Sequence, residues 1–238
     1  MFYKVIRKIV RPITNFLWPV KIINLNKFEE CQGVYVCNHY SMLDPVPFVT
    51  ELFEENFNVL MKEEVMKVPI LGEILIKIGA IPVKRGTADL RAVKNCLNVL
   101  KNGEPLILFP EGTRNKTDNQ DPLDFKDGAI MFAFKTKSPI IPMLYDRQIK
   151  TFRRTYLIIG EPIYLDEFYG ENLRDIRGLV NDKIRLQMDD MRLQMDSLLK
   201  DKKALKLLLK EQKLEVKQIK KQKKLDYKQK QSLPAPKE

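Results

Sequence analysis

Six short apolar runs recur between Gly33 and Gly160: Val34–Cys37, Asn58–Met61, Ala80–Val83, Leu106–Phe109, Ile140–Met143 and Tyr156–Ile159. Most are too short and too continuously apolar for half-exposed strands, so they read as strands buried on both faces of a sheet. Helical patterns lie between them. Ala88 to Lys101 places Leu90, Val93, Leu97 and Leu100 three and four residues apart, and Asn102-Gly103 stops it. Gly128 to Lys137 is a second, shorter helix. Strand and helix in alternation predict an α/β fold with a single central sheet, mostly parallel or mixed, flanked by helices. Pro82 and Pro142 interrupt two of the runs and predict strand ends, edges or bulges there.

A chain of 238 residues, 44% hydrophobic, supports one good core with appendages. The boundaries expected are an amphipathic membrane-interface segment over 1–27, an α/β core over 28–170, a helical extension over 171–230 that turns lysine-rich from about 200, and a flexible tail over 231–238. Charge is concentrated in the extension: 14 lysines against 5 acidic residues in 200–238 carry nine of the eleven net positive charges. Such a segment seeks an anionic surface, either lipid or nucleic acid, and it attaches to a nearly neutral body. Leu173 to about Leu225 reads as long helix. Leu179, Leu186 and Leu193 stand seven apart, but Lys200 breaks the heptad, so no coiled coil is established.

At the other end, Phe2, Val5, Ile6, Ile9, Val10, Ile13, Phe16 and Leu17 follow helical spacing, with Lys4, Arg7, Lys8 and Arg11 between them and Pro12 as a kink. That pattern suits a helix lying in a membrane interface or, more plainly, one packed on the core. Nothing approaches a membrane span, and the interrupting charges exclude a secretory signal. The three cysteines form no CxxC pair, which fits a reduced compartment. With one histidine in the chain, they also argue against zinc.

That histidine, His39, stands in Asn38-His39-Tyr40-Ser41-Met42-Leu43-Asp44-Pro45, just after the first strand of the recurring set. Imidazole is the side chain best matched to moving protons near neutral pH. Asp44 lies five residues on. Five residues turn an ideal helix by roughly 140°, so a tight turn rather than a shared helix face would bring the pair together. Asp44-Pro45 also resembles an N-cap with proline in the first turn, opening a helix through Phe53. Two further clusters end strands: Gly79-Ala80-Ile81-Pro82-Val83-Lys84-Arg85-Gly86 and Phe109-Pro110-Glu111-Gly112-Thr113-Arg114. Gly112 permits close backbone approach to a ligand, and Arg114 offers a planar fork for a phosphate. The acidic stretch Asn115 to Asp124 lacks the glycine and terminal glutamate of an EF-hand loop and reads as a solvated loop.

Taken together and in this order, the clusters resemble the glycerolipid acyltransferase family, most closely its bacterial 1-acyl-glycerol-3-phosphate acyltransferases. His39 and Asp44 match an NHxxxxD block, Gly79 to Gly86 a second, Phe109 to Arg114 the FPEGTR block and Ile140 to Met143 a proline-containing fourth. Phe125 to Ala129 and Gly160 to Ile163 are similar to its connectors, so the likeness spans roughly Phe28 to Ile163. It implies transfer of a fatty acyl group from acyl-CoA or acyl carrier protein to the free hydroxyl of lysophosphatidic acid, giving phosphatidic acid, without metal or cofactor. It further implies His39 as base and Asp44 as its support. Arg85, Arg114, Thr113 and the nearby Lys84 would bind the acceptor, with Gly112 allowing its approach and Glu111 positioning the glycerol or holding Arg114. Peripheral or monotopic attachment to the cytoplasmic side of an anionic membrane completes the expectation. The competing readings are action on another lysophospholipid and a non-catalytic basic membrane- or RNA-binding protein. No RNA-binding motif supports the last.

Overall fold

The computed structural model describes residues 2–28, 32–54, 57–84, 86, 88–112, 114 and 127–232, without the side chains of Lys27 and 227–232. Seven strands form one sheet: β1 (Val20–Ile23), β2 (Gly33–Cys37), β3 (Val59–Lys62), β4 (Ala80–Val83), β5 (Pro105–Leu108), β6 (Ile140–Tyr145) and β7 (Thr155–Ile159), in the spatial order β1-β7-β6-β2-β5-β3-β4. Every neighbouring pair is parallel except β6 with β7, which makes the sheet mixed. Helices cover both faces. Val34 and Val36 of β2 face α3 (Leu90–Lys101), α4 (Gly128–Thr136) and α5 (Leu173–Lys200), while Tyr35 and Cys37 face α1 (Phe2–Leu17) and a π-helical turn at Phe48–Leu52. This two-sided burial is why the strands read as unbroken apolar runs.

The sheet starts earlier than residue 28, because β1 takes up Val20 to Ile23 and pairs with β7. Its four residues follow an amphipathic helix after two intervening residues and lie between Pro19 and Asn24. Pro82 sits on the edge strand β4, as its missing N–H requires. Pro142 instead lies in the interior strand β6, where its carbonyl accepts the Gly160 N–H at 2.8 Å. The helix expected from Pro45 through Phe53 is a turn followed by the π-helical segment. Asp44 does not cap it, since its carboxylate turns back toward His39. At Gly79 (φ +109°) a Cβ would come within 1.7 Å of the Phe57 carbonyl, so only glycine lets the chain enter β4 there.

The C-terminal extension divides at Asp201 into α5 and α6 (Lys202–Ser232). Helix α5 belongs to the core through Ile176, Val180, Ile184, Met188, Met191 and Met195. The leucines of the apparent heptad, Leu179, Leu186 and Leu193, are instead 57%, 67% and 69% exposed. Helix α6 runs along the open side of β1, where the buried Gln212 amide donates to the Ile22 carbonyl at 2.8 Å. It thereby covers an edge strand. Farther along, Lys220 pairs at 2.6 Å with Glu54, which also lies 3.8 Å from Arg7 of α1. No helix among the described residues is long and apolar enough to cross a membrane.

Candidate active site

Strand β2 is central, and the chain leaving its C-terminal end makes the turn that carries His39. The Asp44 carboxylate, fully buried, organises this turn. One oxygen lies 2.8 Å from His39 Nδ1 and accepts the Tyr40 and Ser41 N–H groups at 2.7 and 2.8 Å, while the other accepts the Ser41 hydroxyl at 3.0 Å. With the carboxylate on Nδ1, the neutral ring holds its proton there and leaves Nε2 able to take one. The His39 ring stacks on Phe109, with centroids 4.3 Å apart and planes 28° from parallel.

Both ends of the turn are fastened to Tyr145 at the close of β6. The Asn38 side chain receives the Tyr145 N–H at 2.8 Å and donates to its carbonyl at 3.0 Å, while the Tyr145 hydroxyl donates to the Asp44 carbonyl at 2.8 Å. Burial raises the Tyr145 phenol well above its ordinary range, so this donor keeps its proton. Burial, followed by the Asp44 and Glu111 charges, likewise raises the Cys37 thiol. It is a packing group rather than a nucleophile.

Glu111 faces His39, accepting its backbone N–H at 3.1 Å. Desolvation raises the Glu111 carboxyl, partly offset by that hydrogen bond and by the histidine charge. Gly112 follows with φ +66°, a conformation that favours glycine. Beside His39 opens a cavity of about 450 Å³ with a two-part lining. Lys62, Lys84, Gly112 and Arg114 give its polar part, and Leu60, Val93, Leu108, Ala129, Met131 and Phe132 its apolar part. The Lys84 backbone is set by Asp89, whose carboxylate accepts the Lys84 N–H with one oxygen and caps α3 at Ala92 with the other.

His39, Glu111, Gly112, Lys84 and Arg114 thus come together, while Arg85 and Thr113 lie outside the described residues, as do the stretch Asn115 to Asp124, Phe125, Lys126 and the Pro234–Pro236 tail. Lys62 and Tyr145 are additions that the motifs did not single out. Both lie at the C-terminal ends of strands, which is the available signal: residues there face the crevice of an α/β sheet. Among the described residues, no group of three or more His, Cys, Asp or Glu is placed to hold a metal ion.

A buried imidazole–carboxylate pair opening on a cavity that is cationic in one part and apolar in another defines a protein built for base-assisted chemistry on amphiphiles. The Acyltransferase family profile matches residues 19–146, and the chain belongs to that family. It is 27% identical over 172 residues to the 1-acyl-sn-glycerol-3-phosphate acyltransferase of Bacillus subtilis, covering 70% of this chain and 84% of that one. The enzyme of the same name from Borreliella burgdorferi is 29% identical over 185 residues, 69% of this chain and 71% of that one. Among solved structures, the 1-acyl-sn-glycerophosphate (LPA) acyltransferase PlsC of Thermotoga maritima superposes with a TM-score of 0.59 at 26% identity, covering 80% and 79% of the two chains.

Proposed function

We propose that this protein transfers a fatty acyl group from an acyl thioester, on CoA or acyl carrier protein, to the free hydroxyl of 1-acyl-glycerol-3-phosphate, producing phosphatidic acid. The observation that carries the reading is the His39–Asp44 pair, 2.8 Å apart, at a cavity lined by both cations and apolar side chains. His39 Nε2 takes the proton of the acceptor hydroxyl as its oxygen attacks the thioester carbonyl. The acyl–oxygen bond forms, the acyl–sulfur bond breaks, and the imidazolium returns the proton to the departing thiolate. Asp44 holds the tautomer and stabilises the imidazolium, and general-base assistance of this kind contributes about 10²–10⁴-fold. Arg114, Lys84 and Lys62 supply positive charge for the acceptor phosphate, joined by Arg85 and Thr113 on the strength of the sequence motif. Leu60, Leu108 and Phe132 suit an acyl chain.

The same reading places the protein on the cytoplasmic face of a membrane, held peripherally by α1. Phe2, Val5, Ile9, Ile13 and Phe16 form an exposed apolar stripe on that helix. Arg7 and Arg11 point the other way, to the Val49 carbonyl and the Glu51 carboxylate. An outward apolar face with an inward polar one is what an interfacial helix attached to a body requires.

The deciding experiment measures thiol release from acyl-CoA and from acyl carrier protein, with and without lysophosphatidic acid in micelles, for the wild type and His39→Ala. Release that depends on the acceptor and is lost in the variant supports the proposal and identifies the donor. Equal release by both proteins, or none from the wild type with either donor, overturns it.

A further inference from the structure

The loop from Arg147 to Arg154, which joins β6 to β7, leaves the sheet at the same edge as His39, because β6 and β2 are parallel. Its tip is a tight turn in which the Arg153 N–H donates to the Lys150 carbonyl at 3.1 Å. Phe152 occupies the third position of that turn with φ +57°, a conformation that normally selects glycine or asparagine. An aromatic side chain gains nothing from water there, yet the ring is 67% exposed. It packs edge-to-face with Phe16, with centroids 5.6 Å apart, and Phe16 is itself exposed at the end of the α1 stripe. The loop is fixed to this end of α1: the Phe152 N–H donates to the Leu17 carbonyl at 2.6 Å, the Trp18 indole donates to the Thr151 hydroxyl at 3.1 Å, and the Thr155 N–H donates to the Pro19 carbonyl at 3.0 Å. Lys150, Arg153 and Arg154 flank Phe152 along the loop and are exposed.

A strained backbone held by three hydrogen bonds in order to present a phenyl ring outward points to a surface that the ring enters. We infer that Phe152 and the cations Lys150, Arg153 and Arg154 form an anionic-lipid contact. The ring extends the α1 stripe into the bilayer, and the cations engage headgroup phosphates. This rests on the membrane placement proposed above and adds to it a source of lipid selectivity. Arg7 and Arg11 of α1 are engaged by the Val49 carbonyl and the Glu51 carboxylate, and this loop adds three exposed cations at the end of the apolar stripe. Continuity of Phe152 with the apolar stripe favours a lipid surface over an acidic protein, for which an exposed phenyl beside a helix of exposed aliphatic side chains would be a poor match.

The test is vesicle co-sedimentation of the full chain at low salt, on phosphatidylcholine alone and on phosphatidylcholine mixed with phosphatidylglycerol. The wild type should prefer the mixed vesicles, and salt should erase the preference. Replacing Lys150, Arg153 and Arg154 by glutamine should lower affinity for mixed vesicles by about fivefold per cation and leave binding to phosphatidylcholine unchanged. Phe152→Asn should weaken binding to both vesicles while leaving the Tm equal or higher, since asparagine tolerates the positive φ. Unchanged preference in the triple glutamine variant, or a lowered Tm in Phe152→Asn, would overturn the inference. Ile9→Gln/Ile13→Gln tests the underlying placement separately: it should abolish binding to phosphatidylcholine, and a wild type that binds neither vesicle removes both claims. Intact vesicle binding in the glutamine variant, with turnover lost only when acyl carrier protein is the donor, would reassign the loop to an acidic protein partner.

Discussion

The His39 turn and the sheet-facing side of α5 are both buried and both essential to the fold, yet they are held by opposite means. The turn is polar throughout. One carboxylate takes four hydrogen bonds, and Tyr145 fastens the segment from both sides. Helix α5 rests on the sheet through the apolar side chains of Ile176, Val180, Ile184, Met188, Met191 and Met195. Hydrogen bonds fix position to within a fraction of an ångström but add little net stability. Apolar burial adds stability and tolerates displacement. The molecule therefore places its geometric precision at the sheet edge where a proton must move, and much of its cohesion on the face behind it.

The largest expected effect falls on the polar side. His39→Ala should lower turnover by roughly 10²–10⁴-fold in thiol-release assays with little change in unfolding free energy. Asp44→Ala should match that loss and also destabilise by about 1–3 kcal/mol, because it strands buried donors around the vacated carboxylate. Urea unfolding of the two variants side by side checks this; equal stability in both would show that the turn does not depend on Asp44. On the apolar side the pattern should reverse. Ile184→Ala removes a fully buried side chain and should cost about 2–5 kcal/mol, while turnover per folded molecule stays at the wild-type level. A loss of turnover exceeding the loss of folded protein would mean that α5 also sets the site geometry.

A smaller effect lies where the two kinds of interaction meet. Burial raises the Glu111 carboxyl, so the folded state binds its proton more tightly than the unfolded chain does. Stability from this group is complete below the ordinary glutamate range and is lost as pH rises through the raised value. Glu111→Gln retains an acceptor for the His39 N–H and cannot ionise. The stability difference between variant and wild type should therefore shift in favour of the variant as pH rises through that window. A difference that is flat with pH would show that Glu111 meets no desolvation penalty.

The same contrast explains which features were legible in the sequence. Apolar runs placed six of the seven strands to within two residues at either end, since burial on both faces leaves a clear trace. β1 spans only four residues, and despite Pro19 and Asn24 on either side it merged with the amphipathic stretch before it. The motif residues His39, Glu111, Gly112, Lys84 and Arg114 converge because each follows the C-terminal end of a parallel strand, a position that motif order already encodes. Tyr145 was marked only by its place at a strand end, because its backbone and hydroxyl act on Asn38 and Asp44 across a hundred residues, and no local pattern records such a pairing. Helical phase was the weakest signal. In α3 the expected stripe included Leu90, which is 78% exposed, whereas Ala92, Cys96 and Leu100 face inward. Leu100 of that stripe is buried and Val93 and Leu97 pack against the core, so the stripe failed only at Leu90, while the small Ala92 and Cys96 went unread.

The phase of α5 provides the smallest and most discriminating prediction. A heptad reading makes Leu186 a core residue and Met188, two positions on, a peripheral one. The structure has the reverse, with Leu186 67% exposed and Met188 3% exposed. Leu186→Gln should then change the unfolding free energy by no more than about 0.5 kcal/mol, the range for exposed positions away from special contacts. Met188→Gln places an amide in the apolar cluster that also holds Leu144 and Ile158, and should cost several times as much. Thermal unfolding of the two single variants decides between the phases. Similar large losses in both would mean that the leucine stripe is covered in solution, for example by a second copy of the chain, and the concentration dependence of the Leu186→Gln effect would then reveal it.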